Sequence, residues 1–287
     1  MIDISGVSSR CLVAAAILAA FNHPASAAPA ADKVLLAPHR AVYDLTLARA
    51  NGQRGVEAVR GRILYDFGGN ACDGYVLEFR QVSELASSRG QQALTDLRMS
   101  TWEDGAAKKF TFKSENLLNQ RSTEVVDGRA ERRAKTATVR LSKPKPKRFQ
   151  IPSGSVFPTE HLRRVIAAGR AGETVLEFPV YDGSENGEKI YDTLTVIGHP
   201  IGPGEKPPSE EAAQIPALVK LTRWPVTISY FEREQKSEAK GEVTPIYAIS
   251  FELYENGVSR KLTLDYTDFA ISGEMTSLDM KPAKPCK

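Results

Sequence analysis

The side chains that could act as general acids, bases or nucleophiles are few and scattered along the chain. The four histidines form no His-Glu-x-x-His pair, and the sequence contains no Gly-x-Ser-x-Gly nucleophile elbow. Glu160 and His161 are adjacent at a predicted helix start, but adjacent helical residues point to different faces. Asp265 and Asp268 could stand as paired carboxylates. We interpret the chain as non-enzymatic, with a hydrolase that uses His161 or Asp265 as the alternative.

The segment 128–148 carries a formal charge of +8, whereas the whole chain carries only +3. This pattern favours a surface that faces an anion, such as lipid headgroups or a polyanionic polymer. The alternative is a solvated strand face followed by an extended Lys-Pro loop. Nucleic acid is not expected as the partner, because few aromatic residues interleave with the charges. The basic residues that would form the surface are Arg129, Arg132, Arg133, Lys135, Lys143, Lys145, Lys147 and Arg148, with Arg140 among them.

The first residues have the pattern of a secretory signal peptide. An apolar run of 11 residues spans 11–21, and the small residues Ala25-Ser26-Ala27 follow it. The run is shorter than the roughly 20 residues that a membrane-spanning helix needs. We therefore expect residues 1–27 to be removed and the exported chain to begin near Ala28.

Export would leave two cysteines, Cys72 and Cys286, because Cys11 lies in the signal peptide. In an oxidising compartment two cysteines most simply form one disulfide, and two free thiols are the less favoured alternative. A bridge across so long a loop is worth about 5 kcal/mol at most in the chain-entropy model. Neither cysteine has a second Cys or a His at ligand spacing, and no glycine-rich loop cradles a phosphate, so we predict no metal or cofactor.

The elements that would position these groups are mainly strands. Apolar and polar residues alternate from residue 42 to about 270, and Asn-Gly and Asp-Gly pairs favour hairpin turns between the runs. Helical crossovers are missing, so the sheet should be antiparallel. We predict one mainly β domain over residues 28–287. Representative inward faces are Tyr43, Leu45 and Leu47; Ile63, Tyr65 and Phe67; Ala137, Val139 and Leu141; and Val226, Ile228 and Tyr230.

Two features depart from the strand pattern. Residues 158–169 place Leu162, Val165 and Ile166 at helical spacing, which predicts one short amphipathic helix that starts near Pro158 and ends at Gly169. The proline-rich segments 142–153 and 199–216 are predicted linkers, since proline removes a donor from a ladder.

Aromatic residues recur at strand positions. They could line a lipid-holding cavity under the helix, or they could fill an ordinary sheet core.

Six stretches, taken with the two cysteines, carry a resemblance to a known family. The stretches are residues 37–45 (APHRAVYDL), 61–66 (GRILYD), 71–75 (ACDGY), 157–161 (FPTEH), 180–184 (VYDGS) and 254–260 (YENGVSR). In this order they resemble the EipB family of cell-envelope integrity proteins of Gram-negative bacteria, and the resemblance covers nearly all of the exported chain.

The resemblance implies a periplasmic protein that folds as a spiral of antiparallel strands around a helix, an open barrel-like sheet related to carriers of the LolA and LolB kind. It also implies one disulfide, here Cys72–Cys286, and no catalytic residues. The expected function is maintenance of the cell envelope, by binding a lipid, a lipoprotein or a protein partner. The protein would be peripheral to a membrane at most, and the alternative is a hydrolase acting on an envelope polymer.

Overall fold

A computed structural model describes residues 34–50, 55–133, 136–233 and 244–284 together with Cys286. The predicted signal peptide, residues 1–27, lies outside the described residues. Fourteen strands and two α-helices are found in the described ranges, besides one 3-10 turn. They are β1 (His39–Ala50), β2 (Val56–Asn70), β3 (Gly74–Ser87), β4 (Gln92–Glu103), β5 (Lys109–Leu118), β6 (Arg121–Arg133), β7 (Thr136–Lys143), β8 (Lys147–Ile151), α1 (Pro158–Ala171), β9 (Val175–Val180), β10 (Tyr191–Ile197), α2 (Pro216–Val219), β11 (Arg223–Glu232), β12 (Tyr247–Tyr254), β13 (Ser259–Asp265) and β14 (Phe269–Met280).

All fourteen strands belong to one sheet, in which every neighbouring pair is antiparallel, as predicted. The strand order is β8 to β1 in descending number, followed by β14 to β9. The first strand therefore lies in the middle of the sheet, between β2 and the last strand, β14. This pairing joins the two halves of the chain side by side.

The two edge strands, β8 and β9, are consecutive along the chain and flank α1. The sheet almost closes there through Val156, which precedes α1. Its N–H donates to the carbonyl of Pro179 at 2.8 Å, and its carbonyl accepts the N–H of Tyr181 at 3.0 Å. This isolated parallel bridge leaves an open, barrel-like sheet with α1 across its inner side.

The period-two alternation predicted the buried faces correctly. Ala137 and Val139 are fully buried, and Leu141 is nearly so, as expected for the inward side of β7. On β11, Val226 and Ile228 belong to the same buried core cluster as Trp224 and the α1 residues Val165 and Ile166. One-sided burial of alternate residues is what an antiparallel sheet with one solvated face requires.

The predicted helix is present as α1 and runs two residues beyond the predicted end. Its left-handed C-cap is Gly172, at φ +77°, rather than Gly169. Gly169 lies inside the helix, where a Cβ atom would come within 3.0 Å of the Trp224 ring. Glycine is therefore used at residue 169 for close packing and at residue 172 for positive φ.

The interpretation of residues 142–153 as a linker was wrong in part. Lys147–Ile151 form the edge strand β8, which pairs with β7. Pro144 and Pro146 lie in the turn before it and Pro152 follows it, so no proline interrupts the ladder. Residues 199–216 are mostly loop, with a 3-10 turn at Glu211–Ala213 and α2 starting at Pro216. Within the described ranges, no helix is long and apolar enough to cross a membrane.

Candidate functional site

A cavity of about 340 Å³ lies between α1 and the inner side of the sheet. From α1 it is lined by His161, Leu162 and Val165, and its remaining wall is formed mainly by aromatic and aliphatic side chains of the sheet. The volume falls in the usual range for small-molecule sites, about 300–1,000 Å³. The aromatic residues in the lining are Tyr43, Tyr65, Phe79, Tyr230, Tyr247 and Phe251.

Strand alternation explains why these side chains share the cavity. Tyr65 on β2 is directly opposite Phe79 on β3, and both fall on the inward parity that also buries Ile63. Leu77 follows the same parity, whereas its neighbour Val76 is 39% exposed on the outer side. The sequence pattern thus determines which residues point inward, and the winding of the sheet leaves space between them.

A row of aromatic rings extends from the cavity wall across the strands β10, β11, β12 and β14 and the turn that precedes β14. Successive ring centroids are 6.0, 5.3, 5.4 and 5.1 Å apart. Such offset and tilted contacts each add to the stability already gained by burying the rings. The row consists of Tyr191, Tyr230, Tyr247, Tyr266 and Phe269.

The cavity also contains one carboxyl group, that of Asp182, which is partly exposed to it. Burial raises the pKa of this carboxyl, although the N–H of Ser184, at 2.9 Å, donates to it and acts in the opposite direction. Burial also raises the pKa of Tyr230 and of Tyr247, and the nearby Asp182 carboxylate adds to both shifts. The wall therefore combines apolar surface with a few polar atoms, as ligand sites generally do.

His161 contributes a neutral imidazole to the cavity. Burial, assisted by the charge of Arg164, lowers its pKa to about 4. Its Nε2 lies 3.4 Å from the Oγ1 of Thr195, and its ring makes an edge contact with Phe178. Because the imidazole is uncharged at neutral pH, it acts as a buried polar group rather than as a cation.

Charged side chains from other elements hold α1 in place over the cavity. The Glu103 carboxylate, at the end of β4, accepts the N–H groups of Thr159 and Glu160 at 2.8 Å each. It therefore caps a helix whose own N-cap residue has no capping side chain. The Glu160 carboxylate in turn pairs with Arg132 at 2.9 Å and with Arg164 at 2.6 Å.

The predicted disulfide between Cys72 and Cys286 is present, with Cα atoms 5.6 Å apart. The two cysteines come together because the segment after β14 crosses the start of β1 towards the β2–β3 turn. Along this path the Lys281 N–H donates to the Pro38 carbonyl at 2.9 Å, and the Lys281 ammonium pairs with Asp66. The bond therefore ties the segment after β14 to the β2–β3 hairpin.

The predicted basic surface needs correction at Arg132, which points inward. Its guanidinium donates to the Ser155 carbonyl at 2.6 Å, pairs with Glu160 and lies 4.9 Å from the centre of the Phe157 ring. The reason is parity, since Arg132 is two residues beyond the buried Ala130 on the same face of β6. A count of charges could not distinguish this residue from its outward neighbours.

Two more of the predicted surface residues already have acidic partners. Lys147 forms an ion pair with Glu188, and Arg133 pairs with Glu131 at 3.2 Å. Lys135 lies outside the described residues.

The remaining predicted residues are exposed: Lys143 at the end of β7, Lys145 in the turn that follows, Arg129 on β6 and Arg148 on β8. Arg140 on β7 lies between the last two.

The two residues named for the hydrolase alternative are not brought together. His161 lines the cavity, whereas Asp265 is absent from its lining and accepts two hydrogen bonds from Arg49 Nη2, at 2.8 and 2.9 Å. Across the described ranges, no group of three His, Cys, Asp or Glu residues is arranged to hold a metal ion.

Sequence reasoning missed two residues of the site. Asp182 occurs in a stretch that carries the family resemblance, but no role was predicted for it. Glu103 gave no signal, because the residues it caps are 56 and 57 positions away.

Comparisons with known proteins agree with this architecture. The sequence profile of the EipB-like family matches residues 30–282. A curated relative, the cell envelope integrity protein EipB of Brucella abortus (strain 2308), is 36% identical over 256 residues, which are 89% of this chain and 88% of the relative. A crystal structure of a beta-barrel-like protein with a domain of unknown function, also from Brucella abortus, superposes with a TM-score of 0.78 at 34% identity, covering 87% of this chain and all of the other. The relation to LolA and LolB stays a prediction. By profile, sequence and fold, the chain belongs to the EipB-like family.

Proposed function

We propose that this protein maintains the integrity of the cell envelope from the periplasm, as a binding protein without catalytic activity that holds the apolar chain of a lipid or lipoprotein in the cavity under α1. The envelope role rests on the name of the Brucella relative. Periplasmic location is supported by the disulfide and by the signal-peptide pattern of residues 1–27.

The observation that carries the binding proposal is the space left inside the sheet. Protein interiors are normally close-packed, with few voids larger than one water molecule. A cavity of about 340 Å³ corresponds to roughly ten waters, at about 30 Å³ each. Its wall is mostly apolar, so filling it with a hydrocarbon chain would remove apolar surface of both partners from water.

The lining favours an apolar ligand over a charged one. His161 is neutral, and burial raises the pKa of the Asp182 carboxyl. In the part of the chain that the structure describes, no lysine or arginine lines the cavity. An anionic group would therefore find no countercharge inside, and the polar end of an amphiphile should remain at the mouth.

Mass spectrometry of the protein purified from its own periplasm tests the proposal directly. We expect a lipid or acyl-bearing peptide to co-purify and to be released by organic solvent. A fluorescent fatty acid added to delipidated protein should bind at one molecule per chain.

A matched pair of substitutions on β3 locates the ligand. Leu77→Trp adds a large ring to the cavity wall, and Val76→Trp adds the same ring to the outer side of the same strand. We expect Leu77→Trp to weaken binding of the fluorescent fatty acid at least tenfold and Val76→Trp to leave it unchanged. Repeated recovery of bare protein that does not bind the fatty acid, or equal binding by both variants, would contradict the cavity as the site.

A further inference from the structure

A row of arginines crosses the outer side of the sheet near its β8 edge. Arg129 on β6 is directly opposite Arg140 on β7, and Arg140 is directly opposite Arg148 on β8. All three side chains are exposed. Adjacent strands are about 4.8 Å apart, so the three residues span roughly 10 Å.

Within the described part of the chain, no acidic side chain neutralises the charges in this row. Among the residues that the structure describes, no acid pairs with Arg129, Arg140 or Arg148. Glu131, two residues from Arg129 on β6, pairs with Arg133 at 3.2 Å. Like charges placed directly opposite each other on a sheet repel.

The rest of the sheet shows how such repulsion is otherwise relieved. Arg80 and Arg98 are also directly opposite each other, on β3 and β4, but the Asp96 carboxylate lies between them, 2.9 and 2.7 Å from their guanidinium nitrogens. Arg62 is likewise opposite its partner Asp44, at 2.8 Å. The arginine row of β6–β8 is therefore exceptional among the cross-strand arginines described here.

The row encloses a shallow slot of about 70 Å³. Guanidinium groups from three strands line it, together with the side chains of Thr136 and Thr138 and the Glu131 carboxylate. That carboxylate pairs with Arg133, which also lines the slot, so the other three arginines keep their charge. The volume is far below the 300 Å³ or so of a typical small-molecule site, and it suits a single tetrahedral anion. Arginine forks match phosphate oxygens in pairs, and threonine hydroxyls can donate to the same group.

We propose that Arg129, Arg140 and Arg148 form a binding site for the phosphate of an anionic lipid headgroup and dock the protein on a membrane surface. A headgroup fits better than a soluble phosphate metabolite because the slot is open on the outer side of the sheet. Lys143, the last residue of β7, and Lys145, in the turn that follows, are exposed and add positive charge that a flat anionic surface would meet. Docking through these arginines would occur whether or not the cavity under α1 holds a lipid.

Vesicle flotation tests the docking. The full-length exported protein is mixed with vesicles of phosphatidylcholine alone, with added phosphatidic acid, or with added phosphatidylserine. We expect binding to phosphatidic acid vesicles, weaker binding to phosphatidylserine vesicles, which lack a terminal phosphate, and little binding to phosphatidylcholine. The triple variant Arg129→Gln/Arg140→Gln/Arg148→Gln should weaken binding to phosphatidic acid vesicles at least tenfold.

The matched control removes the same number of positive charges elsewhere on the outer side. Arg40→Gln/Arg62→Gln/Arg80→Gln disrupts only exposed ion pairs, so it should change vesicle binding less than twofold. Equal loss in the two triple variants would show that net charge alone acts and would overturn the proposal. Failure of the wild-type protein to bind any anionic vesicle would also overturn it.

Thermal melting with inorganic phosphate distinguishes a lipid headgroup from a soluble phosphate compound as the ligand. Phosphate should raise the wild-type melting temperature more than chloride at equal ionic strength, because it binds the folded state, and the arginine-row variant should lose this difference. Phosphate stabilisation without vesicle binding would refute membrane docking and indicate a soluble phosphate ligand. Vesicle binding without phosphate stabilisation would refute recognition of the phosphate group.

Discussion

Glu103 should control how the free energy of unfolding varies between pH 5 and pH 8. Its carboxylate is 2% exposed and accepts two backbone N–H groups at the start of α1. Burial raises its pKa from 4.5 to about 7, the hydrogen bonds from Thr159 and Glu160 oppose the shift, and the Glu160 charge adds to it. The folded protein therefore holds a proton on Glu103 over a range in which the unfolded chain has released it.

The sign and the size of the change in the free energy of unfolding follow from this difference in pKa between the folded and unfolded states. Stability from the protonated group is fully present below pH 4.5 and is lost as the pH rises through 7, because the unfolded state binds fewer protons. One pKa unit corresponds to about 1.4 kcal/mol, so the whole effect is about 3 kcal/mol, with roughly 2 to 3 kcal/mol of it between pH 5 and pH 8. For a chain of this size that is roughly 5–10 °C in melting temperature.

Urea unfolding followed by circular dichroism at several pH values measures this contribution. Glu103→Gln removes the titrating group and should flatten the pH dependence by about 2 to 3 kcal/mol relative to wild type. All other titrating groups are shared by both proteins, so they cancel in the comparison. Glu57→Gln, an exposed change on β2, is the matched control and should leave the wild-type slope intact.

Identical pH slopes for the wild-type and Glu103→Gln proteins would refute the reasoning. A wild-type protein that gains stability from pH 5 to pH 8 relative to Glu103→Gln would do so as well. That result would mean that the helix N-terminus favours the carboxylate more strongly than burial disfavours it.

Three further substitutions test other parts of the fold by urea unfolding. Cys72→Ser should cost about 2–5 kcal/mol and match reduced wild-type protein, and no loss would show that the disulfide does not stabilise the fold. Arg260→Met should lower the free energy of unfolding by about 3–5 kcal/mol, because it leaves the Glu210 carboxylate buried without its arginine; each side chain is 3% exposed. The double variant Arg260→Met/Glu210→Leu should recover part of this loss. If it recovers nothing, the unpaired carboxylate is not the cause. Gly183→Ala, at φ +71°, places a Cβ atom 2.4 Å from a phenylalanine ring and should lower the free energy of unfolding by about 2–5 kcal/mol. The control Gly204→Ala, at φ +77° with no neighbouring atom of the described residues, should lower it by only about 1–2 kcal/mol. Equal losses would exclude the contact with the ring as the cause.

Local pattern was sufficient to predict most of the secondary structure. Side chains on a strand alternate between its two faces, so residues such as Val139 and Ile228 could be assigned to the core from sequence spacing alone. The prediction of a linker at residues 142–153 was wrong in part for another reason. Proline excludes a central strand but permits an edge strand such as β8.

The candidate site was much less predictable. Aromatic residues at inward positions could either fill a core or line a cavity, and only the winding of the sheet around α1 leaves about 340 Å³ between them. Likewise, the charge of segment 128–148 could be counted from the sequence, but the count does not show which side chains point outward. In the folded sheet Arg132 points inward and pairs with Glu160, and the register of β6 and β7 places Arg129 directly opposite Arg140.

The order of the amino acids was enough to predict the strand-forming pattern, the antiparallel class, the helix at residue 158 and the pairing of the two cysteines, because these depend on local spacing and on small counts. The tertiary structure alone decided that β1 pairs with β14, that Glu103 caps a helix more than fifty residues away, and which arginines face each other across strands. Those contacts join residues distant in sequence, and no local periodicity encodes the register that brings them together.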